Sequence, residues 1–219
     1  MGIKLNKKYE VIIMKKEIPA WLLILFTAGL NLFLYPKLPA MVPTHWNFEG
    51  LVDGYSTRLF ATLLMPSILI IIYLLITFLP KFDPKSKKFK NSENAYYYMK
   101  LAFVLFFAII NAVMMFASLG YAVRVNVVMP ALIGFLFVVM GIWMPKIEQN
   151  YFVGFRTPWA LENEDVWIKT QKVGGIAFII CGVCLLPIAL WGSPWMLMTI
   201  IFGAVIIPFV YSYLEYKKL

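Results

Sequence analysis

Six stretches of about twenty residues, almost free of charge, dominate the chain: Ile18 to Tyr35, Leu59 to Leu79, Met99 to Leu119, Val127 to Met144, Gly174 to Trp191 and Pro194 to Tyr213. A hydrocarbon core of about 30 Å takes close to 20 helical residues, and inside it each backbone N–H and C=O must be paired within the protein. Six such runs in 219 residues leave little chain for anything else. The expected fold class is therefore all-α, a polytopic membrane bundle of six transmembrane helices. Charged residues make up only 14% of the sequence, against about a quarter in a soluble domain, which excludes an ordinary globular surface. Lys100 is the one charge within these limits. Near a span end, its stem is expected to carry the ammonium to the headgroups.

The formal net charge of +9 raises the question of a nucleic-acid partner, and the placement of the basic residues answers it. Alternate sides of the spans carry 17 and three of the 20 Lys and Arg residues, the minor side holding only Lys37, Arg58 and Arg124. Positive loops stay in the cytoplasm, so the orientation is N-in/C-in and the charge expresses topology, with no direct nucleic-acid binding. Trp21, Trp143, Trp191 and Trp195 fall at span ends, where indoles prefer the interface. The first run follows a basic segment as a secretory signal would. It is too long, and Leu38-Pro39-Ala40 makes no cleavage site, so an uncleaved helix is expected. Met14 before Lys15 and Lys16 is an alternative translation start to Met1.

This divides the chain into a cytoplasmic tail (1–17), two helices joined by a structured external loop 38–58 (18–96), and a four-helix region carrying a cytoplasmic loop 147–171 (97–219). In the external loop Pro39 and Pro43 bias their neighbours to extended backbone, and Gly50 and Asp53-Gly54 form turns, so a folded cap is expected. In the internal loop Asn163 is the expected helix N-cap, with Glu164 and Asp165 in the first turn where the helix dipole favours them. Trp167 is then expected at the interface, and Arg156 at headgroup level.

These two loops carry a resemblance. The external residues Leu38-Pro39, Pro43-Thr44-His45, Gly50 and Asp53-Gly54-Tyr55, over 38–58, resemble a domain of unknown function found fused to a bacterial membrane-protein family. The internal residues Asn150-Tyr151-Phe152, Gly154, Arg156-Thr157-Pro158-Trp159, Leu161, Glu164, Val166-Trp167 and Thr170, within 141–175, resemble that family itself, the SdpI family. Two departures show: Ile142 and Gln171 stand where family members often have Asn and His. The resemblance implies a multi-pass protein of a bacterial-type cell membrane that protects its cell from a secreted peptide toxin outside. In the namesake of the family it also implies recruitment of a cytoplasmic repressor inside.

The candidate ligand- or partner-binding residues are His45, Trp46 and Asn47 outside, and Gly154, Arg156, Thr157, Pro158, Trp159 and Trp167 inside. For His45, the only histidine, three readings stay open: a cation ligand with Asn47, Glu49 and Asp53, recognition of an external ligand, or a structural hydrogen bond. Catalytic zinc recruits three protein ligands, so no metal site is assigned. Arg156 suits a bidentate contact to phosphate or carboxylate, with a lipid phosphate, Glu162 or Glu164 as the bland alternative. Cys181 and Cys184 read as packing residues, and Asn31 and Asn111 as interhelical hydrogen bonds. No nucleophile, metal or phosphate motif is present, so neither an enzyme nor a cofactor is expected. The alternative reading is a passive pore, or a small-solute or lipid-handling protein. The orientation is testable in intact cells: an impermeant thiol reagent should label Ser56→Cys and leave Asn163→Cys untouched, and the reverse pattern would overturn it.

Overall fold

The computed structural model describes residues 7–191 and 193–219; Lys4 and a start at Met1 lie outside the described residues. Six long helices carry the chain back and forth: α1 (Lys7–Leu34), followed by strands β1 (Met41–Trp46) and β2 (Val52–Thr57), then α2 (Arg58–Phe78), α3 (Phe89–Ser118) and α4 (Val125–Trp143). A single-turn-and-a-half α5 (Pro158–Glu162) precedes α6 (Glu164–Trp191) and α7 (Pro194–Tyr216). All but α5 are long and apolar enough to cross a membrane, and the protein is a multi-pass cell-membrane protein. Side chains cap the starts of α2 and α7: Thr57 accepts from Phe60 N–H, and Ser193 accepts from Met196 N–H. Pro19, Pro66, Pro130, Pro187 and Pro208 lie inside the spanning helices, as membrane helices tolerate more readily than soluble ones.

The expected folded cap is an antiparallel hairpin, β1 against β2, with register irregularities between Pro43 and His45 and between His45 and Trp46. Asn47 organises its turn, its carbonyl oxygen accepting from Glu49 N–H and Leu51 N–H at 3.1 and 2.9 Å. Gly50 takes φ of 82°, a conformation that favours glycine. Val42 anchors the hairpin, fully buried among Leu34, Leu38, Ala61, Met114 and Met115.

Helices α1, α2 and α3 pack together, and two buried polar contacts fix their register. Asn31 and Asn111 exchange amide hydrogen bonds at 2.9 and 2.8 Å, and Asn31 also donates to the Thr62 carbonyl at 2.8 Å. The expected interhelical bonds are therefore made. Toward the opposite end, Lys100 corrects the sequence expectation. It does not reach out to headgroups; it is 5% exposed and donates to both Glu17 oxygens at 2.7 and 2.6 Å and to Thr77 at 3.2 Å. Its ammonium also lies 4.8 Å from the Tyr73 ring centre. Three acceptors and an aromatic face replace the hydration that snorkelling would have kept, which is the condition for burying a charge.

The contact between α4 and α6 has a different basis. Gly134 and Gly141 on α4 face Gly182 and Gly175 on the antiparallel α6, so that a Cβ at any of the four would lie 2.4 to 2.6 Å from the opposing glycine carbonyl oxygen. Seven-residue spacing puts each pair of glycines on one helix stripe, and the backbones meet where side chains would hold them apart. Helix α7 then closes against α6 through Ala204, Ile200 and Ile201 around Phe178 and Leu185. The hairpin, the start of α4 and Ser193 share one face; the α2–α3 turn and the loop 144–163 share the other. Gly182→Val should overpack the α4–α6 contact and lower stability by about 1–3 kcal/mol or more, measured as a fall in the thermal unfolding midpoint in detergent. Gly203→Val, where nothing lies within 4 Å of an added Cβ, should leave it near wild type.

Candidate functional site

On the face opposite the hairpin, the loop between α4 and α6 is folded by side chains that answer its backbone one group at a time. Asp83, in the α2–α3 turn and only 5% exposed, accepts from Lys85 N–H and Tyr151 N–H, both at 2.7 Å. Gln149 donates to the Ala160 and Leu161 carbonyls at 2.8 Å each and accepts from the Lys85 ammonium. Asn150 accepts from Phe152 N–H and Val153 N–H at 2.8 Å and donates back to the Glu148 and Val153 carbonyls. Gln171, fully buried on α6, both accepts from Phe155 N–H and donates to Phe155 C=O at 3.0 Å. Backbone groups that the packed bundle shields from water are paired by side chains in this way.

The internal motif residues fall around that network with distinct tasks. Gly154 takes φ of 103°, and a Cβ there would lie 2.6 Å from the Gln171 Oε1. Thr157 caps α5, accepting from Ala160 N–H at 3.2 Å, and its buried hydroxyl also accepts from Ser212 of α7 at 2.8 Å. Pro158 occupies the first turn of α5, where no N–H is needed. Trp159 packs edge-on against Phe209 at 5.5 Å and tilted on Tyr213 at 5.0 Å, tying α5 to α7. Asn163 caps α6 as expected, accepting from Val166 N–H at 3.0 Å.

Two readings of this motif are corrected. Trp167 is not interfacial: it is 1% exposed, packed with Ala95, Tyr96, Met99 and Ile147, and its indole N–H donates to the Ile147 carbonyl at 2.9 Å. The loop's folding over α6 removes it from the membrane surface. Arg156 pairs with neither Glu162 nor Glu164; Glu164 takes Lys88 at 2.6 Å. Arg156 is exposed and donates to the Tyr151 carbonyl at 2.8 Å, and among the described residues no carboxylate lies within ion-pair distance of it. Its remaining N–H groups face outward on a rigid base.

On the hairpin face, His45, Trp46 and Asn47 come together at the mouth of a cleft of about 590 Å³ between the hairpin and helices α3, α4, α6 and α7. Its floor is apolar, with Ile110, Val113, Met129, Ile133, Ile188 and Leu197, while Thr44, Asn126 and Ser193 add polar groups near the rim. His45 Nδ1 lies 2.5 Å from Asp53 Oδ1, across the hairpin. Gly54 opposes His45 in the ladder, and a Cβ there would lie 2.8 Å from the His45 Cβ, so the glycine makes room for this pair. Among the described residues no group of three or more His, Cys, Asp or Glu side chains is arranged to hold a metal. The structural hydrogen bond of His45 is therefore made, and its exposed ring, 73% accessible, leaves Nε2 free for a ligand. Sequence reasoning missed Asp83, Gln149 and Asn150 as organisers of the loop, although uncharged amides beside a span end are the signal for backbone capping. It also left Gln171 only as a departure from a family pattern, and missed the cleft.

These features define a class: a six-span α-helical membrane protein with a strand hairpin over a cleft on one face and a side-chain-capped loop on the other. Residues 146–212 match the model of the SdpI/YfhL protein family, and residues 22–79 match a domain described as Domain of unknown function (DUF1648). The chain is accordingly a multi-pass membrane protein that is similar to the SdpI/YfhL family over residues 146–212. It is 24% identical over 212 residues to the Immunity protein SdpI of Bacillus subtilis (strain 168), an alignment covering 94% of this chain and 98% of that protein. No solved structure matches the chain. Of the two departures, Ile142 is 46% exposed among the span residues, and Gln171 holds the Phe155 peptide. Gln171→Ala should leave both Phe155 backbone groups without partners and cost about 2 kcal/mol or more. Thermal unfolding in detergent should show the loss, together with faster proteolysis within 147–163; unchanged values of both would remove Gln171 from the network.

Proposed function

We propose that this protein is a membrane immunity protein that shields its cell from a secreted antimicrobial peptide, with the hairpin outside and both termini in the cytoplasm. The observation that carries the reading is the convergence of His45, Trp46 and Asn47 on the mouth of an apolar cleft. A membrane-active peptide presents apolar side chains and a polar backbone, and a cleft with an apolar floor and a few polar rim groups suits such a ligand. The name of the Bacillus subtilis relative supports the same role, and the 17-to-three distribution of basic residues supports the orientation. Asn31 and Asn111 bond each other and Lys100 is held by Glu17 and Thr77, which favours packing over a polar conduction path.

On the inner face, the outward N–H groups of Arg156 support docking of a carboxylate-bearing partner, for which a cytoplasmic repressor is the family precedent. The guanidinium holds its Tyr151 contact and still presents a planar fork that an ammonium does not reproduce. The test is survival of cells expressing equal membrane levels of each variant under challenge with the secreted peptide of a producing strain. His45→Ala and Trp46→Ala should each lower the protective concentration by about tenfold or more, as loss of a binding hot spot does. Arg156→Lys should lose most of what Arg156→Ala loses in induction of the repressor's target genes, with survival less affected. Full protection by both outer variants would leave the hairpin a structural cap and favour the lipid-handling alternative. Full signalling by Arg156→Lys would reduce Arg156 to a lipid-phosphate anchor.

A further inference from the structure

The cleft has an edge as well as a floor. Strand β1 contributes Thr44, His45 and Trp46 to its lining and the turn adds Asn47 and Phe48, whereas β2 contributes Asp53 alone. With the alternation of a regular strand interrupted around His45, the run of β1 neighbours against a single β2 residue places the β1 side of the hairpin, not the β2 side, along the cleft. That edge is open: among the described residues, the backbone of β1 is hydrogen-bonded only to β2. Pro43 lacks an N–H, and the irregularities on either side of His45 are features of an edge strand. An open row of backbone donors and acceptors beside an apolar floor calls for a ligand that supplies backbone groups and apolar side chains together. A lipid acyl chain supplies only the second; an extended peptide supplies both.

Charge narrows the ligand further. Of the residues lining the cleft only His45 and Asp53 are titratable, and none is Lys or Arg. Glu49, held by the Asn47 amide at 3.0 Å, adds a second carboxylate at the hairpin tip. The lining itself thus offers a carboxylate and no Lys or Arg to a charged ligand; exposed Arg124, beside lining residue Val125, lies outside it.

We propose that β1 is a strand-docking edge: an extended, largely apolar peptide with a cationic end pairs with it, lays alternate side chains on the Val113–Ile133 floor, and directs its positive end toward Asp53 and Glu49. This rests on the reading of the outer face as peptide-recognising and specifies how the peptide is held, by strand addition.

The test uses the full chain in phosphatidylcholine–phosphatidylglycerol nanodiscs. The probe is a fluorescent synthetic peptide, Lys-Val-Thr-Val-Thr-Val-Thr, with an analogue N-methylated at every Val and Thr nitrogen; the analogue keeps the side chains and cannot pair as a strand. The unmodified peptide should bind saturably and at least about tenfold more tightly than the analogue, because several backbone hydrogen bonds are lost together. Its 13C-labelled amide band should move to the strand position on binding. Ala189→Trp, which fills the cleft from its α6 wall, should abolish binding, and empty nanodiscs should show none. Equal affinity for the two peptides, binding retained in Ala189→Trp, binding to lipid only, or no binding overturns strand docking. If it fails while His45→Ala and Trp46→Ala cells still lose protection, the immunity reading stands without it; if it holds while those cells survive normally, the immunity reading fails alone.

Discussion

In the hydrocarbon of a bilayer no water is available to a peptide N–H or C=O, and every other feature of this protein is arranged around that constraint. It dictates six continuous helices, whose ladders satisfy their own backbones, and it confines irregular chain to places where side chains can replace water. The loop between α4 and α6 follows the same logic where the packed protein, rather than lipid, excludes water. Asp83, Gln149, Asn150, Trp167 and Gln171 bond the backbone of 147–161 in turn, so a non-helical segment lies against the bundle with its polar groups answered. Where these partners come from different elements, as Asp83 from the α2–α3 turn and Gln171 from α6, satisfying the loop also locks those elements together.

Lipid removes the hydrophobic difference between a buried and an exposed leucine, so the helices need other reasons to associate. The first three are joined by specific polar contacts at two depths: the Asn31–Asn111 exchange toward the hairpin face, and Glu17 with Lys100 and Thr77 toward the other. Helices α4 and α6 are joined instead by backbone proximity, four glycines removing the side chains that would separate them. The first arrangement defines register by directed bonds; the second defines it by shape, and gathers close packing contacts of small individual size.

The two faces differ in how much of their polarity is spent. On the loop face, Thr157, Trp159 and Trp167 are engaged in capping and packing, and Arg156 alone among the motif residues turns unused donors outward. On the hairpin face the opposite holds: His45, Asn47 and the backbone edge of β1 border an apolar space and retain free hydrogen-bonding groups. The loop-face motif is therefore largely a folding device, while the hairpin face keeps polar groups that the fold itself does not use. This physical distinction separates residues whose substitution removes a fold contact from residues whose substitution leaves the fold's own contacts intact.

The six spans and the helix start at Asn163 were legible in the sequence, because run length, charge and capping act locally, although α3 begins at Phe89, ten residues before its apolar run. So was the presence of a folded cap, through Pro43, Gly50 and Asp53-Gly54, and the sequence of Asn31 and Asn111 already demanded interhelical bonds. Tertiary structure decided what depends on a second element. Lys100 has a place to be buried only because Glu17 on α1 and Thr77 on α2 arrive beside it. Trp167 is core only because the loop's Ile147 carbonyl comes to it. The glycines read singly as small residues, and their purpose appears when two antiparallel helices bring position 134 against 182 and 141 against 175. The cleft is wholly of this kind: its walls come from the hairpin and four helices far apart along the chain. A sequence states which groups need partners, while only the packed bundle decides which partner each one meets and what space is left between them.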